Sequence, residues 1–362
     1  MMCLERVDKE FNPDRFKVAR LRRKMTYRKL AERTGLSSKT ISKYEKDGIN
    51  NPPSSESLKK ISQVLSYPAQ FFFEDDIDEI STETVSFRAL SKMTAAQRDA
   101  AISAGRLSLI VNSYIQDNFE LPKQDFIDLR GYDPEVAAET IREHWALGSK
   151  KIGNLIHLLE SKGVRVFSLS ENTLDVDAFS FWKDGLPFIF LNNRKSAERS
   201  RFDAAHELGH LLLHKHASPF DDPIDVSLSP SRVAEQEADN FASAFLMPKA
   251  SVANAIPNYI TIEDIIELKS RWSVSAVSLI FRLHKVNLIT EWQYRKLMEE
   301  ASIRGYRKKE PQPIPREKSL IFEKIMPVLA KEGLGIKSFA KELKLPLDEV
   351  TNLMFMPSLI AR

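Results

Sequence analysis

Phe202-Asp203-Ala204-Ala205-His206-Glu207-Leu208-Gly209-His210-Leu211-Leu212-Leu213-His214 is the most informative stretch of this 362-residue chain. It has the composition of a helix and contains the pattern H-E-x-x-H. On a helix His206 and His210, four residues apart, share one face, so both imidazoles can reach a single cation. Glu207 projects beside them, offset from that stripe and within reach of a water at the cation. Two imidazoles and a carboxylate, with one position left open, suit Zn²⁺ and make Glu207 the candidate general base.

Such a site needs a third ligand. His214 continues the stripe, but an unbroken helix carries it about 6 Å further along, out of reach. The better source is Glu235-Gln236-Glu237-Ala238-Asp239-Asn240-Phe241-Ala242-Ser243-Ala244-Phe245-Leu246-Met247-Pro248. Glu235 and Asp239 lie four apart on one helical face, so Glu235 can ligate while Asp239 holds the other ring nitrogen of a histidine. Glu237, roughly 200° away on the wheel, is the second choice of ligand. Arg201, His214 and Tyr259 are the candidates for stabilising an oxyanion, and the sequence does not choose among them.

Outward from this centre, Val164–Leu169 alternates like a strand. Ala178–Trp182 and Pro187–Leu191 read as a hairpin turned at Lys183-Asp184-Gly185. The domain expectations are a basic helical module at 14–73, an acidic linker at 74–92, a helical connector at 93–149 and a metal-binding core at 150–250. A helical bundle at 251–305 completes that core, and 306–362 is a Pro-rich spacer with a helical tail. The tail holds an echo: Ile336–Pro346 resembles Thr26–Ser37, a helix with a small alanine, a short turn and a second helix. Thr261–Leu283 is a third variant.

Composition bounds the rest. Hydrophobic residues at 43% and charged residues at 28% exclude a disordered chain, a collagen-like chain and a coiled-coil rod. Cys3 is the only cysteine, so neither an intrachain disulfide nor a cysteine zinc cluster can form. No apolar run approaches the ~18 residues of a membrane span, and the charged N-terminus has no secretory h-region. A cytoplasmic protein with no membrane partner is expected. The net charge of +3 conceals an asymmetry. Between Asp14 and Gln63, 14 basic residues face 5 acidic ones, so the remainder is acidic. An anionic partner for the first module follows.

In that module Thr26 and Ser37 are placed as N-caps and Gly35 as the turn, with Leu30, Ala31, Leu58, Ile61, Val64 and Leu65 facing inward. The run Thr26–Glu45, with the Leu58–Leu65 helix behind it, resembles the Cro/C1-type repressor domains of the XRE family. The resemblance implies a five-helix helix-turn-helix bundle binding a double-stranded DNA operator, pseudo-palindromic if the chain forms a homodimer. Ser38, Lys39, Thr40 and Lys43 would meet base edges. Arg28 and Lys29, with Arg15 and Arg22, would meet the phosphate backbone.

Arg201-Phe202 before the H-E-x-x-H, together with the Glu-x-Glu-Ala-Asp-x-Phe-Ala…Leu-Met-Pro segment, resembles the ImmA/IrrE family of zinc metallopeptidases. That resemblance implies a gluzincin-like core with a short antiparallel sheet, Phe188–Leu191 as the edge strand receiving peptide, and a C-terminal helical bundle. The fold class expected is therefore multidomain, mostly α with a small α+β part. The activity expected is Zn²⁺-dependent hydrolysis of a peptide bond in a regulatory protein, as in phage regulators and antitoxins. Metal ligands would be His206, His210 and Glu235, with Glu207 catalytic and Asp239 behind His206. The alternative is an antitoxin or repressor that binds DNA and a toxin partner, its zinc site structural or sensory.

Overall fold

The computed structural model describes residues 10–81, 85–87, 93–169, 176–214, 232–257 and 259–356. It is mostly helical with one small sheet, and no helix among the described residues is long and apolar enough to cross a membrane. In chain order the helices are α1 (Pro13–Arg22), α2 (Tyr27–Thr34), α3 (Ser38–Asp47), α4 (Ser55–Leu65), α5 (Ala95–Asn118), α6 (Pro134–His144), α7 (Leu155–Ser161) and α8 (Ala197–Leu213). They continue with α9 (Arg232–Leu246), α10 (Lys249–Ala253), α11 (Ile262–Trp272), α12 (Ala276–Lys285), α13 (Glu291–Ile303), α14 (Leu320–Lys331), α15 (Ile336–Glu342) and α16 (Leu347–Leu353). The strands are β1 (Ser86–Phe87), β2 (Arg165–Leu169), β3 (Ala178–Lys183) and β4 (Leu186–Asn192). Contacts divide the chain into two compact units, Met1–Ile80 with Ser91–Glu120 and Phe322–Arg362, and Ser81–Leu90 with Leu121–Ile321.

The first unit is built on α1–α4 and a 3₁₀ turn at Ala69–Phe73, the five-helix bundle expected. Asn12, Thr26, Ser37 and Ser54 cap the four helices, each side chain accepting a backbone N–H of the first turn. Gly35 ends α2 with φ 71°, a conformation open to glycine without a Cβ penalty. Phe16, Ala19, Leu30, Ile41, Ile61, Leu65, Phe71 and Phe72 are sealed inside. The acidic stretch after residue 73 does not begin as a free linker. Asn12 Nδ2 donates to Glu74 O and Asp76 Oδ1, both at 2.8 Å, and Arg15 Nε donates to Asp75 O at 2.6 Å. Arg106 on α5 pairs with Asp14 at 2.5 Å and donates to Asp78 O at 3.1 Å, so α5 belongs to this unit. The connector expected at 93–149 is thus divided, with α6 packing on α9 in the second unit. The apolar residues of the two helices do not say which partner each will meet.

In the second unit the sheet order is β1-β3-β4-β2. The hairpin turns at Asp184 and Gly185, with φ 50° and 72°, the pair of positive values that a two-residue hairpin with right-twisted strands requires. Two expectations are corrected. The sheet is mixed, because β2 runs parallel to β4 while β3 runs antiparallel to it. Phe188–Leu191 lies in β4, an interior strand bonded on both sides, so its backbone is consumed by the sheet and cannot receive a peptide as an edge. Phe179, Phe181, Phe188 and Phe190 stack across the β3–β4 pair, with centroids 4.3 Å apart for Phe179 and Phe190.

Two buried arginines fix the C-terminal end of α9. Arg142 donates to Phe245 O at 2.6 Å, Gly148 O at 2.8 Å and Lys150 O, and burial pushes its guanidinium down to about 10. Arg282 donates from Nε to Met247 O at 2.9 Å and pairs with Glu135 at 2.5 Å. Arg142→Met should therefore strand three carbonyl acceptors, at about 1–3 kcal/mol for each one left buried. A fall of several degrees in the melting temperature of the full chain checks this, and an unchanged melting curve would refute it.

The segment expected as a Pro-rich spacer is bound along the second unit. Lys269 donates to Gln312 O at 3.1 Å, and Ile314 N donates to Glu198 at 2.8 Å. Glu317 pairs with Arg201, and Glu160 accepts from Ser319, Leu320 N and Ile321 N. Prolines there supply an extended backbone, while buried charged groups far back in the sequence take up its polar atoms.

Candidate metal centre and DNA-reading face

α8 and α9 make the most extensive helix pair in the second unit, and they meet at Gly209. A Cβ there would lie 3.0 Å from Phe241 Cδ1 and 3.3 Å from Ala238 Cα, so the glycine lets α9 approach the histidine helix closely. Within that approach His206 Nε2 and His210 Nε2 stand 3.0 Å apart. Glu235, in the first turn of α9, brings Oε2 to 3.4 Å from His206 Nε2 and Oε1 to 3.2 Å from His210 Nε2. The three donor atoms all lie within 4.8 Å of one another, a group that can hold a metal ion.

The surroundings fit such an ion. Oε1 of Glu235 is buried with no hydrogen-bond partner, a costly state unless a cation is its counterpart. His206 Nδ1 donates to Asp239 Oδ1 at 2.8 Å, which leaves Nε2 as a lone pair facing the cluster. On the other histidine, Nδ1 of His210 lies 2.8 Å from Nδ1 of His214, whose Nε2 lies 3.1 Å from Glu237 Oε2. Burial, reinforced by His210, pushes His214 below the ordinary histidine range and keeps its ring neutral. One proton arrangement satisfies this chain: Glu237 accepts from His214 Nε2–H, and His214 Nδ1 accepts from His210 Nδ1–H. His210 Nε2 then also turns a lone pair towards the cluster. The i, i+4 spacing of His210 and His214 is the sequence signal for the first of these contacts, while the bond to Glu237 depends on the packing of α9.

Glu207 is fully buried beside the pair, and its Oε2 accepts from Ser180 Oγ of β3 at 2.7 Å. No motif marks Ser180 in the sequence. Of the three oxyanion candidates, Arg201 is spent elsewhere, donating to Ile152 O at 2.5 Å and Gly153 O at 3.1 Å besides its pair with Glu317. His214 is engaged as described, and Tyr259 is 59% exposed.

In the first unit, Ser38, Lys39 and Lys43 are exposed on α3 with Thr40 half-buried, and Arg28 and Lys29 are exposed at the start of α2. All six lie on these two helices and none is buried, with Arg28 pairing with Glu32 at 2.9 Å. Arg15 and Arg22, expected to meet phosphate, differ from them. Both are buried, Arg15 on Asp75 O and Arg22 on Glu349 at 2.8 Å. Their charges are spent inside the unit.

Comparison with known families agrees with this division. Residues 16–72 match the helix-turn-helix family model, and residues 159–284 match that of the peptidase M78 family, the IrrE N-terminal-like domain. No curated protein matches the chain. Its helix-turn-helix domain marks it as a DNA-binding protein, and the metal-competent cluster falls within the second match. The chain is a fusion of a Cro/C1-type helix-turn-helix domain with an ImmA/IrrE-type domain.

Proposed function

We propose that this chain is a cytoplasmic DNA-binding regulator whose second domain is a zinc-dependent endopeptidase acting on a regulatory protein. The observation that carries the reading is the convergence of His206 Nε2, His210 Nε2 and Glu235 with a further carboxylate, Glu207, adjacent to them. Two nitrogens and one carboxylate oxygen are the donor set of catalytic zinc. A zinc ion held there would supply Lewis acidity towards a substrate carbonyl and a water. Glu207 would take the proton released as that water attacks and deliver it to the leaving amine. Ser180 orients Glu207 through the oxygen it donates to, and Asp239 and the His214–Glu237 pair hold the ligand rings in register. Six polar and basic residues on α2 and α3 would place the chain on an operator.

A second reading, a metal-dependent sensor or antitoxin without turnover, is favoured by one feature: His206, Glu207 and His210 are each 0% exposed. Glu207→Gln separates the two. It should leave the zinc content of the purified protein at one equivalent, because Glu207 is not among the three converging donors. Cleavage of the target protein should fall by about 100-fold or more, the scale of general acid–base catalysis. If parent and variant regulate the promoter alike and neither cleaves a target protein, the endopeptidase reading fails and the sensor stands. His206→Ala should lose the zinc in either case, and retention of a full equivalent would sink the metal assignment itself.

A further inference from the structure

We propose that α15 and α16 form a second helix-turn-helix in which the DNA-reading face has become an acidic clasp for the N-terminal bundle. With one constant offset the two segments correspond at their helix starts, inner-face residues and turn. Thr26 and Gly335 are the extended N-caps of the first helix. Leu30 and Ala31, then Phe339 and Ala340, fill its inner face, all buried. Gly35 at φ 71° corresponds to Lys344 at φ 54°, so the turn takes the same left-handed residue even without glycine. Ser37 and Pro346 are the N-caps of the second helix, and Ile41 and Val350, both 0% exposed, plug its core side.

The outer faces differ. Where α3 presents Lys39 and Thr40, α16 presents Asp348 and Glu349, and Lys43 is replaced by Asn352. These positions carry negative charge where a DNA reader carries positive, and phosphate would repel them. They are also occupied. Glu349, 1% exposed in its side chain, pairs with Arg22 at 2.8 Å and with Arg23 at 3.0 Å. Asp348 pairs with Arg23 at 2.9 Å. Lys344 adds a bond to Glu74 at 2.8 Å, and Phe339 meets Tyr114 of α5 edge-on at 5.1 Å. The N-terminal turn of the second helix, which in the first copy lies open, is thus turned onto α1. The partner of this module is the chain's own bundle, and the whole DNA affinity resides in the first copy.

The test is a charge exchange in the full chain, read by hydrogen exchange of the α1 and α16 amides. Asp348→Arg with Glu349→Arg should cost these helices at least tenfold in protection, and so should Arg22→Glu with Arg23→Glu. All four changes together should recover most of it. No loss in either half, or no recovery in the combination, overturns the clasp. Because Arg22 and Glu349 are buried, the milder Asp348→Asn with Glu349→Gln is measured alongside. It keeps the volume and should lower protection in α1 and α16 while leaving the α8 amides unchanged, and full protection in α1 would again overturn the proposal. A labelled 30-base-pair duplex is then photocrosslinked to the parent. Crosslinks should map to α2 and α3, and crosslinks at Leu347–Leu353 would refute the loss of DNA reading. Absence of any duplex binding would instead defeat the assignment of the DNA face and leave the clasp to the exchange result.

Discussion

Replacing Glu235 with alanine should abolish zinc binding, and graded losses should follow at the groups behind the ligands. Competition with a chromogenic chelator measures the series. Asp239→Ala removes the acceptor on His206 Nδ1, and His214→Ala removes the acceptor on His210 Nδ1. Each should weaken zinc by about 10–100-fold, the usual cost of an outer-sphere partner. Glu237→Ala, one bond further out, should cost less than His214→Ala. Glu235→Ala should exceed them all, because it removes one of three converging donors and leaves two imidazoles to hold the ion. If Glu237→Ala proved worse than Glu235→Ala, the ligand would be Glu237, the second choice from the sequence.

The other large effect is expected on DNA. Lys39→Glu with Lys43→Glu changes the charge of the exposed α3 face by four units without touching a buried residue. Duplex binding should fall at least 100-fold, and the slope of log affinity against log salt should become shallower as counterion release is lost. The melting temperature should stay within a degree or two. Arg15→Gln and Arg22→Gln should do the opposite, lowering stability while α3 keeps its charged face, since both guanidiniums are buried. Unchanged affinity in the Lys39/Lys43 variant would move the reading face away from α3.

Local signals carried far in this chain. The spacing that puts His206 and His210 on one face, the Asp184-Gly185 turn and the caps at Thr26 and Ser37 each depend on residues only a few positions away. What could not be seen depends on partners far away in sequence. Arg22 looked like any other cation of a basic module, yet its counter-charge lies 327 residues on. The direction of β2 against β4 is a property of the pair and not of either strand's pattern. The same holds for α5 and α6, whose apolar faces read alike and are covered in different units. Arg201, one of the three oxyanion candidates, is an anchor for the segment around Glu317.

The two arginines on the end of α9 leave that helix supported like a beam clamped at one end. Its last carbonyls are tied by Arg142 and Arg282, whereas Glu235 sits in its opening turn. Sliding or rotation of the helix as a body would break these bonds. The soft coordinate is unwinding from the start, where the first N–H groups have no intrahelical acceptors. An ion held by Glu235 would link its release to melting of that opening turn, and its affinity would include the cost of winding about one turn of helix. Chain changes that stiffen the start of α9 would tighten the site without touching any group that faces it.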